Sequence, residues 1–297
     1  MNRCYVRSVA KVFGEEPDLK GIVSPVVSRR LGRILKRAVA TSFSALKDAG
    51  IKVPDAIITA TGVGCMENSE KFLYDMLIHG EGALKPTLFM QSTHNTISSQ
   101  IAILLKCNGY NNTYSHKGSS FAAALLDGLM HIENGSINNV LVGSFDEVTP
   151  FMAKVMRYTH PEFSKVTEGA VSALLTSSKS ESICEIEDVE VLRHLTDEDL
   201  SRIVNANKGG LFYLGLNGNP LNDRGYTEIL EEIGDKVKTV RYHEEYGDSF
   251  SSFAFGFYAA VMKLAENSGP ERITVLDISD ESLSIIRLKS IREGKDD

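Results

Sequence analysis

Hydrophobic periodicity along the chain switches repeatedly between the helical and the strand repeat, which predicts an α/β protein. Residues 28–49 place Leu31, Leu35, Ala38, Ser42, Ala45 and Leu46 on one helix face, and Gly50 ends the run. Residues 56–60 form an apolar run of strand length, and 68–79 and 97–106 read as helices. Strands are expected at 171–176, 183–192 and 212–214, then a helix at 224–233 capped by Asn222 or Asp223. Residues 250–265 are apolar on almost every side, and Gly256 and Ala259 are small enough for close contact. Such a helix belongs in an interior. Residues 273–276 and 283–288 predict a closing hairpin around Ser279, Asp280 and Glu281.

Residues 113–147 read as a strand, a sharp turn, a helix and a second buried strand. The first strand is expected at 112–116, and Gly118 permits close backbone approach just after it. Phe121, Leu125, Gly128, Leu129 and Ile132 recur at helical spacing, and Asn134 with Gly135 stops the helix. Val140, Leu141 and Val142 suit a strand buried on both faces. A side chain on such a turn sits at a helix N-terminus, where backbone N–H groups favour negative charge. By periodicity alone this is an ordinary βαβ unit with a polar turn.

Composition narrows the function classes. No apolar run approaches the ~20 residues that span a bilayer, so no membrane role is expected. The opening MNRCYVRSVAKVFG reads as a strand and lacks a signal-peptide core. Cys4, Cys65, Cys107 and Cys184 follow neither paired nor metal-ligand spacing, which predicts reduced thiols, a cytoplasmic location and no metal. A net charge of −7 argues against nucleic-acid binding. Arg29, Arg30, Arg33, Lys36 and Arg37 form a local basic patch able to steer an acidic partner, although a solvated helix face is the commoner reading.

Several segments, in order, resemble the β-ketoacyl synthase branch of the thiolase superfamily. Arg29-Arg30-Leu31-Gly32-Arg33 and Ala45 to Gly50 look like its first long helix. Thr59 to Gly64 resembles the strand-to-glycine turn that follows. Phe89 to Asn95 and Gln100-Ile101-Ala102 resemble the segment before the nucleophile, and Glu168-Gly169-Ala170 the strand closing the first half. Pro220 to Asp223 resembles the end of the family's His-Gly-Thr motif. His94-Asn95 and Gly109-Tyr110-Asn111 look most like chain-length-factor-like synthases of aryl-polyene and related pigment clusters. The resemblance implies a five-layered α-β-α-β-α core of two similar halves, residues 1–178 and a shortened 179–297.

The chemistry departs from the family, whose condensing members use one cysteine and two histidines. Alignment on Gly118 puts Ser115 at the cysteine position; alignment on 220–223 puts Gly215 at the first histidine. Alignment on Tyr246-Gly247 puts Asp248 at the second histidine and His243 at an associated lysine. Residues 277–282 replace the glycine-rich loop that supplies an oxyanion donor. A serine hydroxyl needs a general base, and glycine has no side chain to polarise a thioester. Losing a single oxyanion donor lowers a rate by roughly 10²–10³.

The resemblance therefore implies a non-condensing, chain-length-factor-type subunit in fatty-acid or polyene synthesis, with no cofactor. Its partner would be a cysteine-containing ketosynthase in a heterodimer, or a second copy in a homodimer, with acyl carrier protein delivering substrate. His116, Gly215, Phe121 and Met90 would then line the pocket. The alternative is an acyltransferase or hydrolase with Ser115 as nucleophile and His243 and Asp248 completing a triad. His116 is a further candidate base. Phe121 and Met90 equally fit a plain core.

Overall fold

The computed structural model describes residues 2–234, 237–279 and 282–291. The chain runs through β1 (Cys4–Phe13), α1 (Pro25–Ser28), α2 (Arg33–Asp48), β2 (Ala56–Ala60), α3 (Met66–His79), α4 (Pro86–Met90), α5 (Thr96–Leu105) and β3 (Tyr110–Tyr114). Next come α6 (Ser120–Glu133), β4 (Asn139–Asp146), α7 (Pro150–Thr159), β5 (Gly169–Thr176), β6 (Cys184–Leu192), α8 (Asp197–Ala206) and β7 (Leu211–Leu214). The remainder holds α9 (Pro220–Asp223), α10 (Thr227–Ile233), β8 (Thr239–Arg241), α11 (His243–Tyr246), α12 (Ser252–Ala265), β9 (Arg272–Ser279) and β10 (Ser282–Ser290).

The strands hydrogen-bond in the order β3-β2-β4-β5-β1-β6-β10-β9-β7-β8. β2 is parallel to β3 and β4, and β7 to β8 and β9, while β5 and β10 run antiparallel to their neighbours. A narrow seam joins the two groups of five: β1 meets β6 only from Cys4↔Ile186 to Val6↔Cys184.

Alternation along each strand sends neighbouring side chains to different cores. Ile58, Val140, Val142 and Ala173 face a central layer containing Phe121 and Leu125 of α6 and Phe253 and Phe257 of α12. Ile57, Leu141 and Leu174 pack instead with Ile34, Leu35 and Ile101 of α2 and α5. In the other five strands, Val275 and Ile286 join the central layer, whereas Phe212, Leu276 and Ile285 pack with Leu200, Ile203 and Ile229 of α8 and α10. The result is five layers, helix-sheet-helix-sheet-helix. Two helices lie between the sheets, as the all-round apolar character of 250–265 predicts.

Several boundaries differ from the sequence reading, for local reasons. The first long helix starts at Arg33, because Pro25–Ser28 is a separate turn capped by Ser24 and Gly32 intervenes in extended conformation. The helix expected at 224–233 divides into a 3₁₀ turn at Arg224–Tyr226 and α10, with α9 before it capped by Asn219. The central apolar helix begins at Ser252, leaving Phe250 in the entry turn. β3 stops at Tyr114, so Ser115 and His116 lie on the turn rather than on a strand. β9 and β10 pair up to Ser279↔Ser282 as the expected hairpin, whose Asp280 and Glu281 lie outside the described residues. α8 went unpredicted although Thr196 and Asp199 form its capping box. No helix among the described residues is long and apolar enough to cross a membrane.

Candidate functional site

A cavity of about 410 Å³ opens where the turn before α6 meets the last residues of β9. Gly118 forms part of its wall, and a Cβ there would lie 2.1 Å from Ser279 Oγ. The approach of the two segments therefore requires glycine. Phe163, from the loop between α7 and β5, and Phe250, from the entry to α12, supply aromatic wall, while Arg224 stands among the polar lining. Phe250 stays because Gly62 leaves room: a Cβ at Gly62 would fall 2.2 Å from Phe250 Cβ.

His243 and Asp248 line this cavity and touch each other. His243 Nδ1 is 2.7 Å from Asp248 Oδ1, and Nε2 is 3.4 Å from Asp277 Oδ1. Burial opposes charge on His243, whose side chain is only 8% exposed, but the hydrogen bond to Asp248 and the nearby Asp277 outweigh it. The imidazole is carried up to about 9 and is a cation at neutral pH. Burial also disfavours the Asp248 carboxylate, yet donors from His243, Asn217 and the Lys165 amide hold it below the ordinary carboxylate range. An imidazolium between two carboxylates has no lone pair for a proton or a metal. Among the described residues, no group of His, Cys, Asp or Glu is arranged to hold a metal ion.

Gly215 does not border the cavity described above. A Cβ there would meet Tyr226 Oη at 2.5 Å, Asp277 Oδ1 at 2.6 Å and Tyr242 Oη at 2.9 Å. Two phenols and an acid thus fill the place a side chain would take. Tyr242 Oη donates to Asp277 Oδ1 at 2.5 Å, and Tyr226 Oη accepts from the Ile278 amide at 2.9 Å. Burial, reinforced by the Asp277 charge, pushes both phenols well above their ordinary range, so both stay protonated.

Ser115 is not brought to His243 and Asp248. It is exposed and lines a different cleft with His116, Lys117, Arg193 and His194. Ser115 and His116 share this cleft because both lie on the turn past the end of β3, where strand alternation no longer applies. The strand-to-helix turn itself bends at Lys117, where φ is 49°. Phe121 is fully buried in the central layer, edge-on to Phe253 at 6.2 Å between ring centres. Met90 is 69% exposed at the end of α4. Neither is among the described residues that line the His243 cavity.

Sequence reasoning missed Tyr226, Tyr242, Asn217 and Phe163. Only Asn217 carried a signal, since Asn217-Gly218-Asn219 is a turn whose side-chain amides look for partners. It also missed the acids that end β4. Asp146 is fully buried and accepts from Thr61 Oγ1, the Gly62 and Val63 amides and Ser251 Oγ at 2.7–3.0 Å. Glu147 accepts from the Ile34 amide at 3.2 Å and the Glu67 amide at 2.9 Å, so one carboxylate caps both α2 and α3. The basic patch is partly internal. Arg37 is 4% exposed and pairs with Glu16 at 2.7 Å and Glu168 at 3.0 Å, and Arg33 reaches Glu168 at 2.9 Å.

The family model for the β-ketoacyl synthase N-terminal domain matches residues 9–207. The chain belongs to the β-ketoacyl synthase family. The synthase fold extends beyond that match. The solved structure of AntDE:AntF, a type II PKS acyl-carrier protein in complex with its ketosynthase bound to the hexaketide, superposes with a TM-score of 0.81. It is 13% identical, over 98% of this chain and 100% of that one. The ishigamide ketosynthase/chain length factor superposes at 0.79 and 14% identity, over 98% of this chain and 100% of that one. The PfaC keto synthase–chain length factor gives 0.77 at 11% identity, over 98% of this chain and 43% of that one. At such identities the likeness is one of fold. No curated protein matches the sequence.

Proposed function

We propose that this chain is a non-condensing subunit of a β-ketoacyl synthase assembly, working beside a cysteine-bearing ketosynthase in fatty-acid or polyketide-type chain building. In this reading residues 1–178 and 179–297 are its two thiolase-like halves. The missing thiol carries the proposal. None of Cys4, Cys65, Cys107 and Cys184 borders the His243 cavity. Cys4, Cys65 and Cys184 are buried, and burial with help from Glu147 pushes the Cys65 thiol up to about 12. A thiol that stays protonated is a poor nucleophile. His243, already a cation between acids, is a poor base for any serine.

The outer surface supports a partner. β3 is the end strand of the sheet, and Tyr110 and Asn111 are exposed on it. An open strand edge offers unpaired backbone groups to another chain. Leu73, Tyr74, Leu77 and Ile78 of α3 and Phe89 and Met90 of α4 are exposed, and rings of the two helices meet at Phe72–Phe89. Large apolar side chains gathered in this way suit a protein interface. Met90 is then better read as a contact with the partner, where the acyl tunnel of the pair would be shaped. Acyl carrier protein would deliver the substrate to the pair.

Co-expression with a cysteine-bearing ketosynthase encoded nearby tests this. The two chains should co-purify and the pair should extend a malonyl-derived chain on a carrier, whereas this chain alone should not. Condensation by the isolated chain, or a homodimer that refuses the ketosynthase, would sink the proposal.

A further inference from the structure

We propose that residues 160–167 form a strap clasped over the His243 cavity by the Asp248 carboxylate, and that release of this clasp is the cavity's opening motion. The strap joins α7 to β5, and Pro161, Glu162 and Phe163 within it form part of the cavity wall. Its fastenings come from residues 217–250, distant in the chain. Asp248 Oδ2 accepts from the Ser164 and Lys165 amides, each at 2.7 Å. Asp248 Oδ1 accepts from Asn217 Nδ2 at 2.8 Å and His243 Nδ1 at 2.7 Å. The Asn217 amide also donates to Glu162 O at 2.9 Å, and Asn219 Nδ2 donates to Pro161 O at 2.8 Å.

Main-chain support is short by comparison. The Asp248 amide donates to Lys165 O and the Thr167 amide to Asp248 O, which together make an isolated bridge rather than a strand. The ring anchor is small: Phe163 and His160 stack on each other at 5.2 Å and meet the one ring of Phe250 at 5.9 Å and 5.2 Å between ring centres. One carboxylate therefore gathers two strap amides, the Asn217 side chain and the His243 cation. Removing its charge weakens all four contacts together, because donors to a charged acceptor bind more strongly than donors to a neutral one. β5 beyond the strap is buried along its whole length and fixed on both sides by β1 and β4, so it would not follow. The inference concerns this chain's own cavity and stands whether or not the chain pairs with a ketosynthase.

Amide hydrogen exchange on the full chain reads the clasp directly. Asp248→Asn should speed exchange at Ser164 and Lys165 by about tenfold or more, with the amides of β5 unchanged. Asn217→Ala, which spares the carboxylate, should give a smaller rise in the same segment. Asp248→Asn should also take up more of the apolar fluorophore anilinonaphthalene sulfonate than the unaltered protein. An unchanged strap, or a rise spread evenly over the chain, overturns the clasp. Faster strap exchange without added dye uptake overturns its role in opening.

Discussion

His243 donates Nδ1–H to Asp248 Oδ1 across 2.7 Å, while its other ring nitrogen lies 3.4 Å from Asp277 Oδ1. In a nucleophilic triad one acid orients a neutral imidazole, and the far nitrogen remains free to take a proton. Here both nitrogens face acids, so the proton is retained. The pair looks like catalytic machinery in residue type but acts as an ion cluster joining α11 to the end of β9. That cluster also fixes the rim of the cavity, since Asp248 and Asp277 both contribute to its wall.

The cluster should make stability fall in alkaline solution. Folding raises the His243 pKa from 6.5 to about 9, so the folded state favours the bound proton. Its contribution is fully present below about pH 6.5 and is lost as pH rises through about 9. The shift corresponds to about 3 kcal/mol. Urea unfolding of the unaltered protein and His243→Gln between about pH 6 and pH 10 should show the gap between them narrowing by that order. A gap that stays constant over the range would mean His243 does not titrate as the geometry requires.

Restoring a side chain at Gly215 should harm the fold. A Cβ at this position has Tyr226 Oη, Asp277 Oδ1 and Tyr242 Oη all within 3 Å, as 2.5, 2.6 and 2.9 Å. Tyr226 and Tyr242 are fully buried, so neither phenol can swing into solvent. Gly215→Ala is expected to destabilise by about 1–3 kcal/mol in chemical denaturation, the usual effect of overpacking. A larger side chain such as histidine should be worse still. A neutral result for alanine would show that the two phenols can move aside.

Much of this architecture was legible in the sequence because it rests on local periodicity. The apolar repeat from Phe121 to Ile132 and the all-round apolar character of 250–265 mark helices that belong between sheets, and both lie there. The site was less legible because its bonds connect residues far apart in the chain. Arg37 reads as surface until Glu168 is brought to it, and Asp146 reads as a strand end until Thr61 and Ser251 surround it. Ser115 was drawn toward His243 and Asp248 by family alignment alone. Ser115 follows the end of β3 and lines one cleft, whereas His243 and Asp248 line another.

Arg37 should behave as a buried ion-pair member rather than a carrier-docking cation. Its NH2 group contacts Glu16 and Glu168, and the side chain is almost fully enclosed on the inner face of α2. Arg37→Ala leaves Glu168 with Arg33 as its remaining cation among the described residues and opens space beside β5. The expected loss is about 3 kcal/mol in thermal or urea unfolding, in the range found when one partner of a buried pair is removed. Arg29→Ala and Arg30→Ala, on exposed positions, should each change stability by less than about 0.5 kcal/mol. Equal and small effects for all three would restore the picture of a solvated basic face.

Ser115 is expected to be unreactive. Its side chain is exposed, no described hydrogen bond joins it to a histidine, and the cation at His243 belongs to another cavity. Without a base within hydrogen-bond reach a serine hydroxyl attacks esters poorly. Treatment with a fluorophosphonate probe followed by intact-mass measurement should therefore leave the chain unmodified, and Ser115→Ala should give the same spectrum as the unaltered protein. His116 and His194 line the same cleft and are the side chains able to change that outcome by rotating toward the hydroxyl. One probe adduct on the unaltered chain, lost in Ser115→Ala and in His116→Ala or His194→Ala, would establish a serine-based acyl-transfer site and move the chemistry of this chain away from the His243 cavity.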